Sequence, residues 1–217
     1  PLDDELSAVI HERFLEALDP NRHYLLAADV ADLERHRLRY DDMLRGARLE
    51  PAFDAFRLFR RRMEETMDHA LDLVDREFDF AREEYFEIDR SESPWPADRA
   101  AREELWRKRV KHDVLSLRLA DKDEEEIRDL LRKRYQRMVR RVDQLGPADV
   151  YQLFMNAYTG AVEPHTAYFS PRTSENFKIH LSLSLEGIGA ALSTENDHTV
   201  VKRIIPGGPA DLDGELE

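Results

Sequence analysis

Ser184-Leu185-Glu186-Gly187-Ile188-Gly189-Ala190 is the stretch of this sequence whose residue types could do chemistry without a reactive side chain. Two glycines one residue apart let the backbone turn sharply and approach another group, because neither carries a Cβ. A turn of this kind aims successive N–H groups into one concavity, where a carboxylate is held by charge-assisted hydrogen bonds and no cationic side chain is needed. The candidate binding site is therefore the backbone of Gly187, Ile188, Gly189 and Ala190. The competing reading is a bulge or hairpin corner, since Gly-x-Gly alone specifies no ligand.

The neighbouring segments must position that loop. Upstream, Leu181, Leu183 and Leu185 alternate with Ser182 and Ser184, the period of a half-buried strand. Downstream, Ala190 to Ser193 resumes extended structure, and a turn at Glu195-Asn196-Asp197-His198 leads to a second strand, Thr199 to Ile205. Pro206-Gly207-Gly208-Pro209-Ala210 then opens a short helix. This order resembles the beginning of a permuted, bacterial-type PDZ domain. In that fold a peptide adds as a strand to the sheet edge, with its terminal carboxylate in the loop. The resemblance implies that Gly187 to Ala190 take the carboxylate and that Ile188 contributes to the apolar pocket beneath it.

Four other constellations invite a chemical reading. Arg132, Lys133, Arg134, Arg137, Arg140 and Arg141 form a basic stripe. Leu131, Tyr135, Met138 and Val142 claim the buried face of the same helix, so a solvated, ion-paired face is expected and no nucleic-acid partner. The run Asp121 to Glu126 lacks the glycine and alternating ligands of a calcium loop and reads as a helix N-terminus. Glu163 and His165 flank Pro164, which points to a hydrogen-bonded turn, and the eight histidines show no close ligand spacing. Ser170, before Pro171, lacks the setting of a nucleophile elbow and is read as a cap or turn. No catalytic residue, metal or cofactor is expected in this chain.

Composition narrows the class further. The 217 residues carry 33 Lys and Arg against 46 Asp and Glu, a net charge of −13 that disfavours nonspecific binding to nucleic acid or anionic lipid. No apolar run approaches the ~20 residues of a membrane span, and no signal-peptide pattern opens the chain. With no cysteine, disulfides, thiol catalysis and zinc–thiolate sites are excluded.

Helical periodicity dominates up to about Gly160. Leu6, Ile10, Phe14 and Leu18 mark a first helix stopped at Asp19-Pro20-Asn21. Val30, Leu33, Tyr40 and Leu44 lie on one stripe of a second, ending at Gly46. The longest runs from about Pro51 to Asp79, its apolar face formed by Phe53, Phe56, Met63, Met67, Ala70, Val74 and Phe78. Prolines 94 and 96 forbid a helix between Asp79 and Asp98, while Trp95, Tyr85, Phe86 and Ile88 predict an ordered connection whose apolar groups are covered. Further helices follow at about Ala97–Ala120, Glu124–Leu145 and Pro147–Gly160. The expectation is a mainly α protein: about seven helices in an N-terminal domain (1–175), a crossing segment Glu163–Phe177, then the first strands of an incomplete PDZ domain (176–217).

Three segments carry a wider resemblance: Leu18-Asp19-Pro20-Asn21-Arg22-His23-Tyr24-Leu25 through Val30, Glu163-Pro164-His165-Thr166-Ala167-Tyr168-Phe169-Ser170-Pro171, and Ser182 to Ala190. A fourth, Asp89-Arg90-Ser91 through Pro94-Trp95-Pro96, stands between them. Together they resemble the tail-specific, or carboxy-terminal processing, proteases, in particular the long periplasmic form of Gram-negative bacteria. One departure is Glu163, where that family usually has Asp. The resemblance implies a periplasmic serine endopeptidase whose protein substrates have apolar C-terminal tails. It also implies a serine–lysine dyad beyond the end of this sequence, and a helical domain that frames the substrate path or binds an adaptor. The competing classes are a non-enzymatic helical and PDZ scaffold, and a helical adaptor whose tail is PDZ-like by accident.

Overall fold

Local chemistry sets the helix boundaries. In the computed structural model, which describes residues 2–182, 187–195 and 198–215, α1 (Asp4–Leu18) starts where the Asp3 carboxylate accepts the Leu6 N–H at 3.0 Å. Two short helices follow, α2 (Ala27–Leu33) and α3 (Tyr40–Arg45), and then the long α4 (Glu50–Val74), with Pro51 in its first turn. Asp98 caps α5 (Arg99–Arg118) and Asp123 caps α6 (Glu124–Asp143), each through a backbone N–H three residues on. Pro147 opens α7 (Pro147–Val162), where its missing N–H costs nothing.

The chain divides into two compact units, Pro1–Tyr168 and Phe169–Glu217. In the first, α4 is the shared spine of two apolar cores. Its first half gives Ala52, Ala55, Phe56 and Phe59 to a core completed by Ile10 and Phe14 of α1, Tyr40 of α3, and Val150 and Phe154 of α7. Its second half gives Met63, Met67, Ala70, Leu73 and Val74 to a core with Trp106 and Val110 of α5, and Ile127, Leu131 and Tyr135 of α6. Tyr24 packs against both.

The predicted second helix is broken. Between α2 and α3 the chain makes a 3-10 turn at Glu34–His36. The cause is Ser7, fully buried on α1: its hydroxyl donates to the Arg37 carbonyl and accepts the Tyr40 N–H, both at 2.8 Å. Those are backbone groups that an uninterrupted helix would pair with itself. The long helix also stops at Val74, short of Asp79, and Phe78 reaches the second core from irregular backbone.

The connection to α5 is irregular, as the prolines require, but it is not covered throughout. Tyr85 and Ile88 are 90% and 70% exposed. The segment is fastened by a charge: Glu84 accepts from Lys111 at 2.6 Å and pairs with Arg107. Trp95 is half-buried, with the Arg22 guanidinium 5.4 Å from its ring centre, and Phe86 lies 5.4 Å from His112.

The second unit begins with a helix where a crossing segment and then a strand were expected. In α8 (Pro171–Ser182), Leu181 and Ser182 are helical, while Leu183 to Glu186 lie outside the described residues. Ser170 starts the helix: its carbonyl accepts the Ser174 N–H at 2.8 Å and its hydroxyl meets Thr173 Oγ1 at 2.9 Å. That local capping starts a helix whose last described residues are Leu181 and Ser182. Two strands follow, β1 (Ala190–Glu195) and β2 (His198–Ile204), antiparallel, with Ala190 opposite Ile204 and a bulge after Ala191. The short α9 (Pro209–Asp213) closes the described chain. Among the described residues the protein is mainly α, with nine α-helices and one two-stranded sheet, and no helix is long and apolar enough to cross a membrane.

Candidate carboxylate-binding loop

Gly187 to Ala190 lead into β1, and the turn between β2 and α9 holds them. Gly189 has φ of +77°, a conformation that disfavours any side chain. A Cβ there would also stand 2.8 Å from Pro209 Cδ and 2.9 Å from Pro209 N. On the other side, a Cβ on Gly208 would stand 3.0 Å from Gly189 Cα. The glycines thus serve a close approach of backbone to backbone inside the unit.

Two hydrogen bonds fix how the loop faces. The Ile188 carbonyl accepts the Ala210 N–H at 2.9 Å, and the Gly189 carbonyl accepts the Ile205 N–H at 2.8 Å. All peptide bonds among the described residues are trans, and in a trans peptide the carbonyl and the following N–H point in opposite directions. With the Ile188 and Gly189 carbonyls turned toward the 205–210 turn, the N–H groups of Gly189 and Ala190 face away from it. Ala190 sits opposite Ile204 in a pair that exchanges no hydrogen bonds, so its N–H lies on the outer edge of β1. Among the described residues no strand pairs with that edge. Gly187 is exposed and Ile188 is 55% exposed. Ser184, Leu185 and Glu186, the upstream half of the loop, lie outside the described residues.

The first unit holds a second polar constellation, whose residues sequence reasoning quoted without giving them a role. The buried Asp19 carboxylate accepts three backbone N–H groups, from His23 and Tyr24 at 2.8 Å and Leu25 at 3.0 Å. It replaces the partners that this tight loop denies its own backbone. Burial still pushes its carboxyl upward. His23 is buried beside it, its carbonyl accepting the Trp106 indole N–H at 2.9 Å and its Nδ1 lying 2.7 Å from the Arg109 guanidinium. Burial, with Arg109 and Arg90 close by, depresses this imidazole to about 3, so the ring is neutral and Nδ1 accepts. Arg22 donates to the Ser93 carbonyl, and so the Asp19–Leu25 and Asp89–Pro96 segments meet. The signal was an Asp19-Pro20-Asn21 stop followed by Arg22-His23 and then the apolar run Tyr24-Leu25-Leu26.

The remaining sequence candidates resolve into local structure. Glu163 accepts from the His165 N–H at 3.0 Å and from Thr166 Oγ1 at 2.9 Å, and it contacts His165 Nδ1 at 2.7 Å, making a hydrogen-bonded turn. On the basic stripe, Arg132 pairs with Asp75, Lys133 with Asp129 at 2.7 Å and Arg134 with Asp113 at 3.4 Å. No cluster of three His, Cys, Asp or Glu side chains among the described residues could hold a metal ion.

Residues 1–172 match the family model described as the tail specific protease N-terminal domain. Over 216 residues the chain is 37% identical to the curated tail-specific protease of Haemophilus influenzae. That alignment covers 99% of this chain and 31% of the relative, so the chain spans under a third of the length of the protein it matches. On the strength of the family match, which takes in all seven helices of the first unit, the chain belongs to the tail specific protease N-terminal domain family.

Proposed function

We propose that this chain is the non-catalytic N-terminal part of a periplasmic serine-type carboxy-terminal processing endopeptidase, and that its second unit opens the PDZ domain through which substrate tails are captured. The observation that carries the reading is the pair of N–H groups, on Gly189 and Ala190, that face away from the 205–210 turn at the head of an open strand edge. An apolar tail adds along β1, its carboxylate meets these donors, and Ile188 contacts its last side chain. Holding the tail raises the local concentration of the rest of the substrate at a serine–lysine dyad elsewhere in the longer protein, which converts weak capture into selectivity. The helical unit frames the path of the substrate or receives an adaptor. The test is the affinity of the full-length protein for one apolar peptide in free-acid and amidated form. Preference for the free acid is expected, and equal affinities refute carboxylate capture at this loop. The chain of 217 residues, incubated with an unfolded substrate, leaves it intact; cleavage that tracks the purified chain refutes the assignment of its role.

A further inference from the structure

We infer that the cleft between the Glu34–His36 turn and the head of α4 binds a compact polyanion, a diphosphate or phosphate-ester group, held by Arg39 and Arg48. The cleft has a volume of about 640 Å³, within the range of small-molecule sites. Arg39, Arg45, Arg48 and His36 border it, against two carboxylates, Asp42 and Glu50. Arg45 is already engaged, by Asp41 at 3.0 Å and by Asp42 at 3.2 Å. The side chains of Arg39 and Arg48 enter no ion pair or hydrogen bond among the described residues, so two guanidinium groups on one cleft are left to a ligand. Glu50 is the one carboxylate of the wall with no such partner among the described residues.

The fold places both arginines. Ser7 holds the Arg37 carbonyl and the Tyr40 N–H, and so fixes the backbone that carries Arg39. Arg48 stands in the turn between α3 and α4, where a Cβ on Gly46 would be 3.1 Å from its Nε and 3.4 Å from its Nη2; the guanidinium takes the space a side chain there would fill. α4 adds its positive end, since Leu49 gives no side-chain cap and Glu50 and Pro51, its first residues, border the cleft. His36 reports the sign of the site. Its Nε2 accepts from Arg35 at 3.1 Å, and burial first, then Arg35 and Arg39, hold the ring below its ordinary value against a smaller opposite effect of Asp54. A single carboxylate fills one guanidinium fork, whereas a phosphoryl group brings three acceptor oxygens and close to two charges, enough for both. The net charge of −13 works against an extended anionic surface, which favours a small soluble occupant.

The probe is inorganic pyrophosphate, titrated into the full chain by isothermal calorimetry at constant ionic strength, for the native sequence, Arg39→Gln, Arg48→Gln, Glu50→Gln and Arg61→Gln. Native binding in the millimolar range or tighter is expected. Arg39→Gln and Arg48→Gln should each weaken it about tenfold or more, the worth of a charge-assisted hydrogen bond, and because neither side chain has a partner to lose, both variants should keep the native Tm. Glu50→Gln removes the unpaired carboxylate and should tighten binding about two- to fivefold, a gain that misfolding does not produce. Arg61, exposed on α4 and outside the cleft, controls for net charge, and Arg61→Gln should leave the affinity unchanged. Vesicles containing phosphatidic acid separate the sources of the group: sedimentation with them that pyrophosphate reverses assigns it to a lipid headgroup, and no sedimentation assigns it to a soluble molecule. No binding of pyrophosphate to the native chain overturns the inference, as does the same affinity in Arg39→Gln, Arg48→Gln and Arg61→Gln, which would mean diffuse counter-ion association.

Discussion

Replacing His23 by asparagine should make the protein markedly less sensitive to mild acid. The folded ring is 5% exposed, accepts from Arg109 at 2.7 Å and is depressed from 6.5 to about 3 by burial first, then by Arg109 and Arg90. Because the folded value lies below the unfolded one, the unfolded chain takes up a proton first as pH falls. The contribution of the neutral ring is intact above pH 6.5 and is lost progressively down to about pH 3. At pH 5, which lies 1.5 units below the unfolded value of 6.5, the unfolded histidine is protonated while the folded one stays neutral, a loss of about 2 kcal/mol at 1.36 kcal/mol per unit. For a chain of this size that is roughly 4–8 °C in Tm. In His23→Asn the side-chain amide oxygen keeps an acceptor for Arg109 but cannot titrate. Tm is measured at about pH 7.5 and about pH 5 for both proteins, on either side of the unfolded histidine's own value. His11, also buried and shifted downward, contributes equally to each and cancels. The native drop should exceed the variant's by the stated amount, and equal drops would mean that His23 is charged or solvated in the folded chain.

Two further substitutions test the first unit. Asp19→Asn keeps the volume but sets an NH2 group against backbone donors now served by two carboxylate oxygens; it should cost about 2–4 kcal/mol in urea denaturation, and a loss under about 1 would show that the three contacts are dispensable. Tyr85→Ser, at a side chain 90% exposed, should stay within about 0.5 kcal/mol, and a larger destabilisation would show that Tyr85 is covered after all.

The helical part of this fold was legible because apolar side chains at three- and four-residue steps have one economical use. Met67, Val74, Leu131 and Tyr135 are buried where their spacing put them. What periodicity could not show was a competitor from elsewhere in the chain. Ser7 breaks the predicted second helix from 30 residues away, through two hydrogen bonds that leave no trace in the stripe Val30, Leu33, Tyr40, Leu44. Tyr85 and Ile88 misled in the opposite sense, because an apolar residue in water is tolerated when Glu84 next door fastens the backbone. At Gly187 to Ala190 the composition pointed to a close backbone approach, and there is one. Its partner is Gly208-Pro209, far enough along the chain that a local reading of Gly-x-Gly does not reach it.

The outer edge of β1 carries a consequence for how copies of the chain behave together. An edge with unsatisfied N–H and C=O groups is a template for any extended segment, and the most abundant one in a concentrated solution is the same strand of another molecule. Leu192, half-exposed on β1, does little to discourage it. Whatever chain lies along that edge also shields it, so an occupant would act as a solubilising agent for its host, and self-association and occupancy would be two outcomes of one competition.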